Sequence, residues 1–257
     1  MSNERYEVFA LKYAERNTRT RNDSFMFDDD HASQHDMDYF IWVARNAERT
    51  ILIDTGYDTA EAQRRNRPIL NDPLEMLGRM GIAPSDVTDL IVTHLHYDHA
   101  GGLHNFEHAR FHMQEAELGF AVSGCMCHPT LRAPFTADHV CTTVRQLYGG
   151  KVTFYTGSGE VAPGIRVHHV GGHSSGLQIV DIDTETDPVI LASDASHYYE
   201  NYRNAKLFPI VVDPPAMLEG FAKLRDFEEK GYQIVPGHDP QVLQRSLMKV
   251  PGIVKLA

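Results

Sequence analysis

The feature that most constrains this chain is a run of metal-binding residue types at the end of a short apolar segment. The segment Thr88–Thr93 is followed at once by His94, His96, Asp98 and His99. Side chains two residues apart on an extended chain point the same way, so His94 and His96 can reach one metal ion. Where the chain then turns, Asp98 and His99 are free to face a second ion.

So many imidazole and carboxylate groups in one short stretch would desolvate one another, and a bound cation relieves that cost. The alternative interpretation is a set of polar residues in a solvated turn. The sequence favours the metal site, and a buried strand leading into it.

Three further candidate ligands lie where other predicted strands end, each next to glycine. His173 follows Gly171-Gly172, Asp194 follows the apolar run that ends at Ser193, and His238 follows Pro236-Gly237. Each has an alternative: His168 and His169 compete with His173, Asp194 could cap a turn, and His238 could be a lone loop residue. The glycine-rich loop favours His173, because His168 and His169 lie inside an apolar strand.

Composition sets the class of protein and of partner. The chain has 257 residues, 42% of them hydrophobic, and a net charge of −11. These values fit a soluble globular domain and disfavour nucleic-acid or anionic-membrane partners; they would also repel anionic small molecules unless a local basic patch overrides the charge. Three cysteines are too few for a secreted disulfide framework, and the start of the chain has no leader pattern, so we expect a cytoplasmic protein.

The pattern along the chain predicts one α/β domain over residues 1–257, although the length permits two. Alternating and continuous apolar runs predict strands, and residues 112–150 carry the spacing of a helical insertion. Within that insertion, Cys125 and Cys127 could hold a metal or form a redox pair, but reduced cysteines are the simpler interpretation.

The order of these residues resembles the metallo-β-lactamase fold superfamily. Its ligand series, H-x-H-x-D-H followed by His, Asp and His, is matched residue by residue, and the resemblance extends from the Asp54-Thr55-Gly56 turn to His238. It implies a four-layer αββα sandwich and a pair of divalent ions, for which zinc is the first expectation. It also implies the following ligands: His94, His96 and His173 for one ion, Asp98, His99 and His238 for the other, and Asp194 between them.

Within the superfamily, the run Ser193–Tyr198 resembles the N-acyl homoserine lactonase group. The resemblance implies that a lactone ring is opened by attack of a metal-bridging hydroxide, with Asp98 also passing the proton to the leaving group. Asp194, where the main β-lactamase branch has cysteine, disfavours that branch. The alternative is thioester hydrolysis of the glyoxalase II kind, which uses the same seven ligand types.

Two departures from the lactonase group bear on the substrate. His197 stands where the group commonly has tyrosine, and Gly171 replaces a frequent proline. We expect His197 to donate a hydrogen bond to the substrate carbonyl, as the phenol would. Tyr198, Phe25 and Phe27 are the other predicted substrate contacts, and the expected partner is a small molecule. The exact lactone, the metal in the cell and the oligomeric state are left open by the sequence.

Overall fold

The computed structural model of the chain describes residues 4–245 and 249–257. Its strands are β1 (Glu7–Arg16), β2 (Met37–Arg45), β3 (Thr50–Ile53), β4 (Asp89–Ile91), β5 (Arg110–Gln114), β6 (Val152–Tyr155), β7 (Ser158–Ala162), β8 (Ile165–His169), β9 (Gln178–Ile182), β10 (Val189–Ser193), β11 (Gln233–Pro236), β12 (Lys249–Val250) and β13 (Ile253–Lys255).

These strands form two sheets. The first has the order β12-β13-β1-β2-β3-β4-β5-β6, and the second has the order β11-β10-β9-β8-β7. Strands β3, β4, β5 and β6 run parallel to one another, as do β10 and β11. The carboxyl ends of these parallel strands carry most of the candidate ligands, because parallel strands deliver their ends to the same edge.

The helices are α1 (Arg21–Ser24), α2 (Thr59–Arg65), α3 (Pro73–Arg79), α4 (Tyr97–Ala100), α5 (Glu115–Ala121), α6 (Pro129–Arg132), α7 (Ala137–Tyr148), α8 (Tyr199–Asn204) and α9 (Pro214–Glu229). Local chemistry fixes several of their starts. Asp72 caps α3 by accepting from the backbone N–H groups of Leu74 and Glu75, and Asp213 caps α9 in the same way through Ala216. Each of these aspartates is followed by proline in the first turn, which suits that position.

Side-chain alternation along the strands produces three separate cores. On β1, Phe9 and Leu11 pack towards helices, whereas Val8 and Ala10 pack towards the second sheet. The second sheet repeats the pattern, since Ile190 packs under α8 and α9 while its neighbours face the first sheet. Three cores separate four layers, so the predicted αββα sandwich is confirmed.

The sequence placed one boundary too early. Residues 112–114 belong to β5 rather than to a helical segment, because Phe111 and Met113 alternate into a buried face between β4 and β6. The helical part begins at Glu115 and continues through α5, α6 and α7 to Tyr148. Across the described ranges, no helix combines the length and apolarity that a bilayer crossing requires.

Helix α9 offers a direct test of the outer core beneath the second sheet. Phe221 is fully buried there, whereas Leu218 on the same helix is 40% exposed. We expect Phe221→Ala to lower the free energy of unfolding by about 3–5 kcal/mol, because it leaves a large cavity. Leu218→Ala should change it by less than about 0.5 kcal/mol. Urea denaturation of metal-saturated protein, followed by circular dichroism, measures both; equal losses would contradict this packing.

Candidate metal centre

The H-x-H-x-D-H segment leaves the first sheet just beyond β4 and enters the short helix α4. His94, His96 and His99 are buried, and Asp98 is 8% exposed. The ring centroid of His94 lies 4.5 Å from that of His96 and 4.2 Å from that of His99. The strand-to-helix turn therefore collects the motif in one pocket, as the spacing predicts.

The other three candidate ligands arrive from the second sheet. His173 lies in the loop between β8 and β9, Asp194 directly follows β10, and His238 follows β11. Glycine permits two of these approaches. Gly172 has φ +84°, and a Cβ there would lie 2.6 Å from the Cα of Met217; a Cβ on Gly237 would lie 2.7 Å from Oδ1 of Asp194.

Asp194 divides the histidines into two groups, one for each carboxylate oxygen. Its Oδ2 lies 3.2 Å from Nε2 of His173 and 3.8 Å from Nε2 of His94. Its Oδ1 lies 3.1 Å from Nε2 of His238 and 3.3 Å from Nε2 of His99. His96 groups with His94 and His173, and Asp98 groups with His99 and His238, in clusters close enough for a shared ion. The structure thus brings the seven predicted residues together in one cluster.

The hydrogen bonds of the rings show that metal ions fit between these groups. His173 donates from Nδ1 to the carbonyl of Ile210 at 2.7 Å, and His238 donates from Nδ1 to the carbonyl of Asp38 at 2.8 Å. With the proton on Nδ1, a neutral ring presents its Nε2 lone pair inward. Nε2 of His94, His99 and His173, together with Oδ1 of Asp194, is buried without a hydrogen-bond partner. Unpartnered lone pairs aimed at one volume suit two cations.

Asp54, the first residue of the Asp-Thr-Gly turn, organises the motif through hydrogen bonds. Its carboxylate accepts from Nδ1 of His99 at 2.7 Å and from the backbone N–H and hydroxyl of Thr93 at 2.8 and 2.7 Å. Because the Thr93 hydroxyl donates to Asp54, it can only accept from Nδ1 of His94, at 3.1 Å. One buried carboxylate therefore sets the tautomers of two candidate ligands.

Glu117 on α5 is a second buried organising carboxylate, and no pattern in the sequence singled it out. It accepts from the N–H of Leu95, the hydroxyl of Ser174 and the N–H of Gly176. It thereby joins the segment between His94 and His96 to the loop that carries His173. A glutamate in an amphipathic helix carries no signal that marks it as buried; only the packing of α5 reveals it.

Burial also controls the charge of two candidate ligands. It lowers the pKa of His94 and of His96 well below the ordinary value. Both rings are therefore neutral near pH 7, and the neutral imidazole is the form that binds metal.

Two cavities meet at this cluster. The smaller one, of about 70 Å³, is polar and is lined by Asp98, Asp194, His197 and His238, with Tyr39 and three arginines at its margin. The larger one, of about 520 Å³, is mainly apolar and shares several residues with the first, among them His96, His173 and Arg67. Its remaining apolar wall comes from Met26, Leu131, Ala133, Pro134, Pro209, Ile210, Val211 and Val212.

Of the four predicted substrate contacts, the structure brings only His197 to these cavities. Phe25 is buried and packs against Tyr198, whose hydroxyl lies 3.3 Å from that of Ser24, and Phe27 is 90% exposed. These three residues line neither cavity. The segment after α1 turns Met26 towards the larger cavity, so Phe25 and Phe27 on either side of it point elsewhere. Cys125 and Cys127 are free thiols.

His197 lies between the cluster and the second sheet's outer core. Its Nε2 is 3.0 Å from Oδ2 of Asp194, and its ring stacks on Phe208 with centroids 3.7 Å apart. Burial lowers the pKa of His197 to about 3, so the ring is neutral and has one N–H. In this arrangement Nε2–H donates to Asp194 and Nδ1 has no partner.

Comparison with known proteins agrees with this geometry. A sequence profile of the Metallo-beta-lactamase superfamily matches residues 37–249. An N-acyl homoserine lactonase of Bacillus sp is 28% identical over 222 residues, covering 79% of this chain and 82% of that protein. N-acyl homoserine lactonase AiiB of Agrobacterium fabrum is 27% identical over 186 residues, covering 69% of this chain and 66% of that protein.

Solved structures show the same fold. The crystal structure of a quorum-quenching N-acyl homoserine lactone lactonase aligns with a TM-score of 0.79 at 23% identity, covering 97% of this chain and 98% of that one. AidC, a dizinc quorum-quenching lactonase in complex with a product, aligns with a TM-score of 0.73 at 18% identity, covering 99% and 95%.

Two facing sheets between helical layers, with a His and Asp cluster at the strand ends, define a class of αββα proteins with a metal centre. The profile match extends over most of the sequence and includes all seven candidate ligands. This chain belongs to the metallo-β-lactamase superfamily.

The arrangement predicts how the two ions respond to loss of one ligand. We expect His99→Ala to remove the ion of the Asp98, His99 and His238 group preferentially, because Nε2 of His99 faces that group and Oδ1 of Asp194. Elemental analysis should fall from about two ions per chain towards one. The exposed His108, substituted to alanine, is the matched control and should keep both. Retention of both ions in the His99 variant would refute the ligand assignment.

Proposed function

We propose that this protein is a dinuclear-metal-dependent hydrolase that opens lactone rings, such as those of N-acyl homoserine lactones. The observation that carries the proposal is the division of Asp194, with one oxygen facing each histidine group where the two cavities meet. The relatives named N-acyl homoserine lactonases support the substrate class.

The proposed ligands are the seven predicted from the sequence. His94, His96 and His173 hold one ion, Asp98, His99 and His238 hold the other, and Asp194 bridges the two. A set of imidazoles and carboxylates without thiolate suits zinc, and also iron, cobalt or manganese. We take zinc as the first choice, and elemental analysis of the purified protein decides it.

When bound, two such ions supply Lewis-acid polarisation of the lactone carbonyl and make a water molecule acidic enough to attack it. In the overall reaction, the water oxygen bonds to the carbonyl carbon, the ring carbon–oxygen bond breaks, and a proton passes to the departing ring oxygen. The product is a hydroxy acid. Asp98 lies in the cavity with its Oδ2 3.9 Å from Nε2 of His238, a position from which its carboxylate can carry that proton.

The larger cavity suits the acyl part of such a substrate. Its wall is mostly apolar and it opens from His96 and His173, so a chain attached to a ring at the cluster would continue along it. A volume of about 520 Å³ accommodates a chain of several carbons. This groove replaces Phe25 and Phe27, which the sequence suggested for the same purpose.

His197 can act in two ways, and the two ways predict different results for a substitution. As placed, it donates to the bridging carboxylate; donation to a substrate carbonyl requires Nε2–H to turn away from Asp194 when substrate fills the cavity. The first action orients a ligand, and the second stabilises charge on the reacting oxygen. The proposal also includes a cytoplasmic location and a small-molecule partner, and it makes no choice of oligomeric state.

A substrate panel tests the proposed reaction. We expect metal-loaded protein to hydrolyse lactones faster than glutathione thioesters, β-lactams or phosphodiesters, with release of acid as each ring opens. Chelation should abolish the activity and added zinc should restore it, because no serine or cysteine nucleophile is invoked. Faster thioester hydrolysis would instead identify the glyoxalase II-like alternative. Metal binding without hydrolysis of any of these classes would contradict an enzymatic role.

Substitution of His197 separates its two actions. His197→Ala should lower turnover by about 10–1000-fold with metal content intact if the imidazole stabilises the carbonyl oxygen. Loss of metal as well as turnover would assign His197 to the orientation of Asp194. His197→Gln keeps an N–H donor at a similar reach and should restore part of the activity in either case. Unchanged turnover in His197→Ala would remove the residue from the mechanism.

A further inference from the structure

Three arginines converge on the small polar cavity at the metal cluster. Arg16 ends β1, Arg19 lies in the loop before α1, and Arg67 follows α2. They come from separate parts of the chain, yet all three line the cavity that holds Asp98 and Asp194. We refer to Arg16, Arg19 and Arg67 as the arginine rim.

The arginine rim forms no close ion pairs of the kind that other arginines form. Within the ranges that the structure describes, no carboxylate oxygen lies within 4.0 Å of a guanidinium nitrogen of any rim residue. By contrast, eight other arginines make such ion pairs: Arg21, Arg45, Arg49, Arg64, Arg65, Arg79, Arg166 and Arg203. In a chain of net charge −11, three unpaired guanidinium groups at one cavity form a distinct local feature.

The individual contacts of the rim leave donors available. Arg19 donates from Nη2 to the carbonyl of Asp23 at 2.5 Å, and its buried Nε has no hydrogen-bond partner. Arg67 bonds to the hydroxyl of Tyr97 and lies over that ring. Unsatisfied guanidinium donors beside a cavity are costly unless a ligand or water accepts from them.

The charge of the cavity favours an anion. Asp23 is the lining carboxylate outside the proposed ligand set, and its Oδ2 accepts from the backbone and the hydroxyl of Thr20. Asp98 and Asp194 are proposed metal ligands, and two divalent cations would more than balance their charge. The hydrogen bond from the Thr20 backbone, and then the charges of Arg19 and Arg16, lower the pKa of Asp23. Three arginines against this one remaining carboxylate still leave the cavity positive.

We propose that the substrate hydrolysed at this centre carries a carboxylate, held by the arginine rim beside the lactone ring. Guanidinium groups bind carboxylates through paired charge-assisted hydrogen bonds, and the rim encloses the same small volume as the ligand cluster. The inference rests on the proposed lactonase function and narrows it, because simple acyl homoserine lactones are neutral. It also accounts for how an acidic protein admits an anion: the basic patch is local.

A matched pair of lactones tests the rim. The probes are 5-oxotetrahydrofuran-2-carboxylate and its primary carboxamide, which share a ring and differ in charge. We expect wild-type protein to show a higher kcat/KM for the carboxylate, and Arg16→Gln and Arg67→Gln to lower that value by about 10–100-fold each. The carboxamide should change by less than about 2-fold. Added salt should slow the carboxylate reaction selectively.

Controls separate recognition from folding. Arg110→Gln, an exposed substitution on β5, should leave both substrates unaffected. Metal content and thermal midpoint are measured for each variant, and Arg16→Lys should recover part of the preference by restoring charge. Equal losses on both lactones, or no wild-type preference for the carboxylate, would overturn the rim proposal.

The outcome also distinguishes the two proposals. Hydrolysis of neutral lactones without preference for the carboxylate would leave the lactonase function in place and remove the rim proposal. If no lactone is hydrolysed, the lactonase function fails, and the rim is then judged by calorimetric binding of the same pair. Tighter binding of the carboxylate that is lost in Arg16→Gln would support the rim, and equal binding would refute it.

Discussion

The structure depends on a buried carboxylate, Asp194, surrounded by imidazole rings. Burying such a group costs several kcal/mol unless charge and hydrogen bonds compensate. Here the inward nitrogens of His94, His99 and His173 have no hydrogen-bond partner, and Asp194 reaches both histidine groups. This arrangement is satisfied by two cations, which is why the cluster has the character of a metal centre rather than of an ordinary polar core.

Two further buried carboxylates connect that centre to the surrounding elements of the fold. Asp54 sets the rings of His94 and His99 from the first sheet, and Glu117 joins the loop of His173 to the segment at Leu95. Neither faces the proposed ions. Both sheets and helix α5 must therefore be in place before the ligands have their geometry, so the site is a product of the whole sandwich.

Charged and apolar surfaces lie in separate places around the cluster. The chain is acidic overall, yet Arg16, Arg19 and Arg67 lie at the margin of the small cavity without close ion pairs. The adjoining groove is mainly apolar. The two proposals together describe a substrate with a reactive carbonyl at the cluster, an anionic group at the rim and an apolar portion in the groove. Each part is recognised by a different physical interaction.

The sequence by itself determined the fold class and proposed the candidate ligands, because H-x-H-x-D-H after a strand, with the glycine-flanked His173, Asp194 and His238, carries the resemblance to the superfamily. It misplaced the start of the helical segment, since the short apolar run of β5 fits either kind of element. It also chose Tyr198, Phe25 and Phe27 for the substrate. Only the tertiary structure decided the cavity walls and the roles of Glu117 and of the arginine rim. Residues that are distant in sequence meet there, and no local periodicity in the sequence marks them.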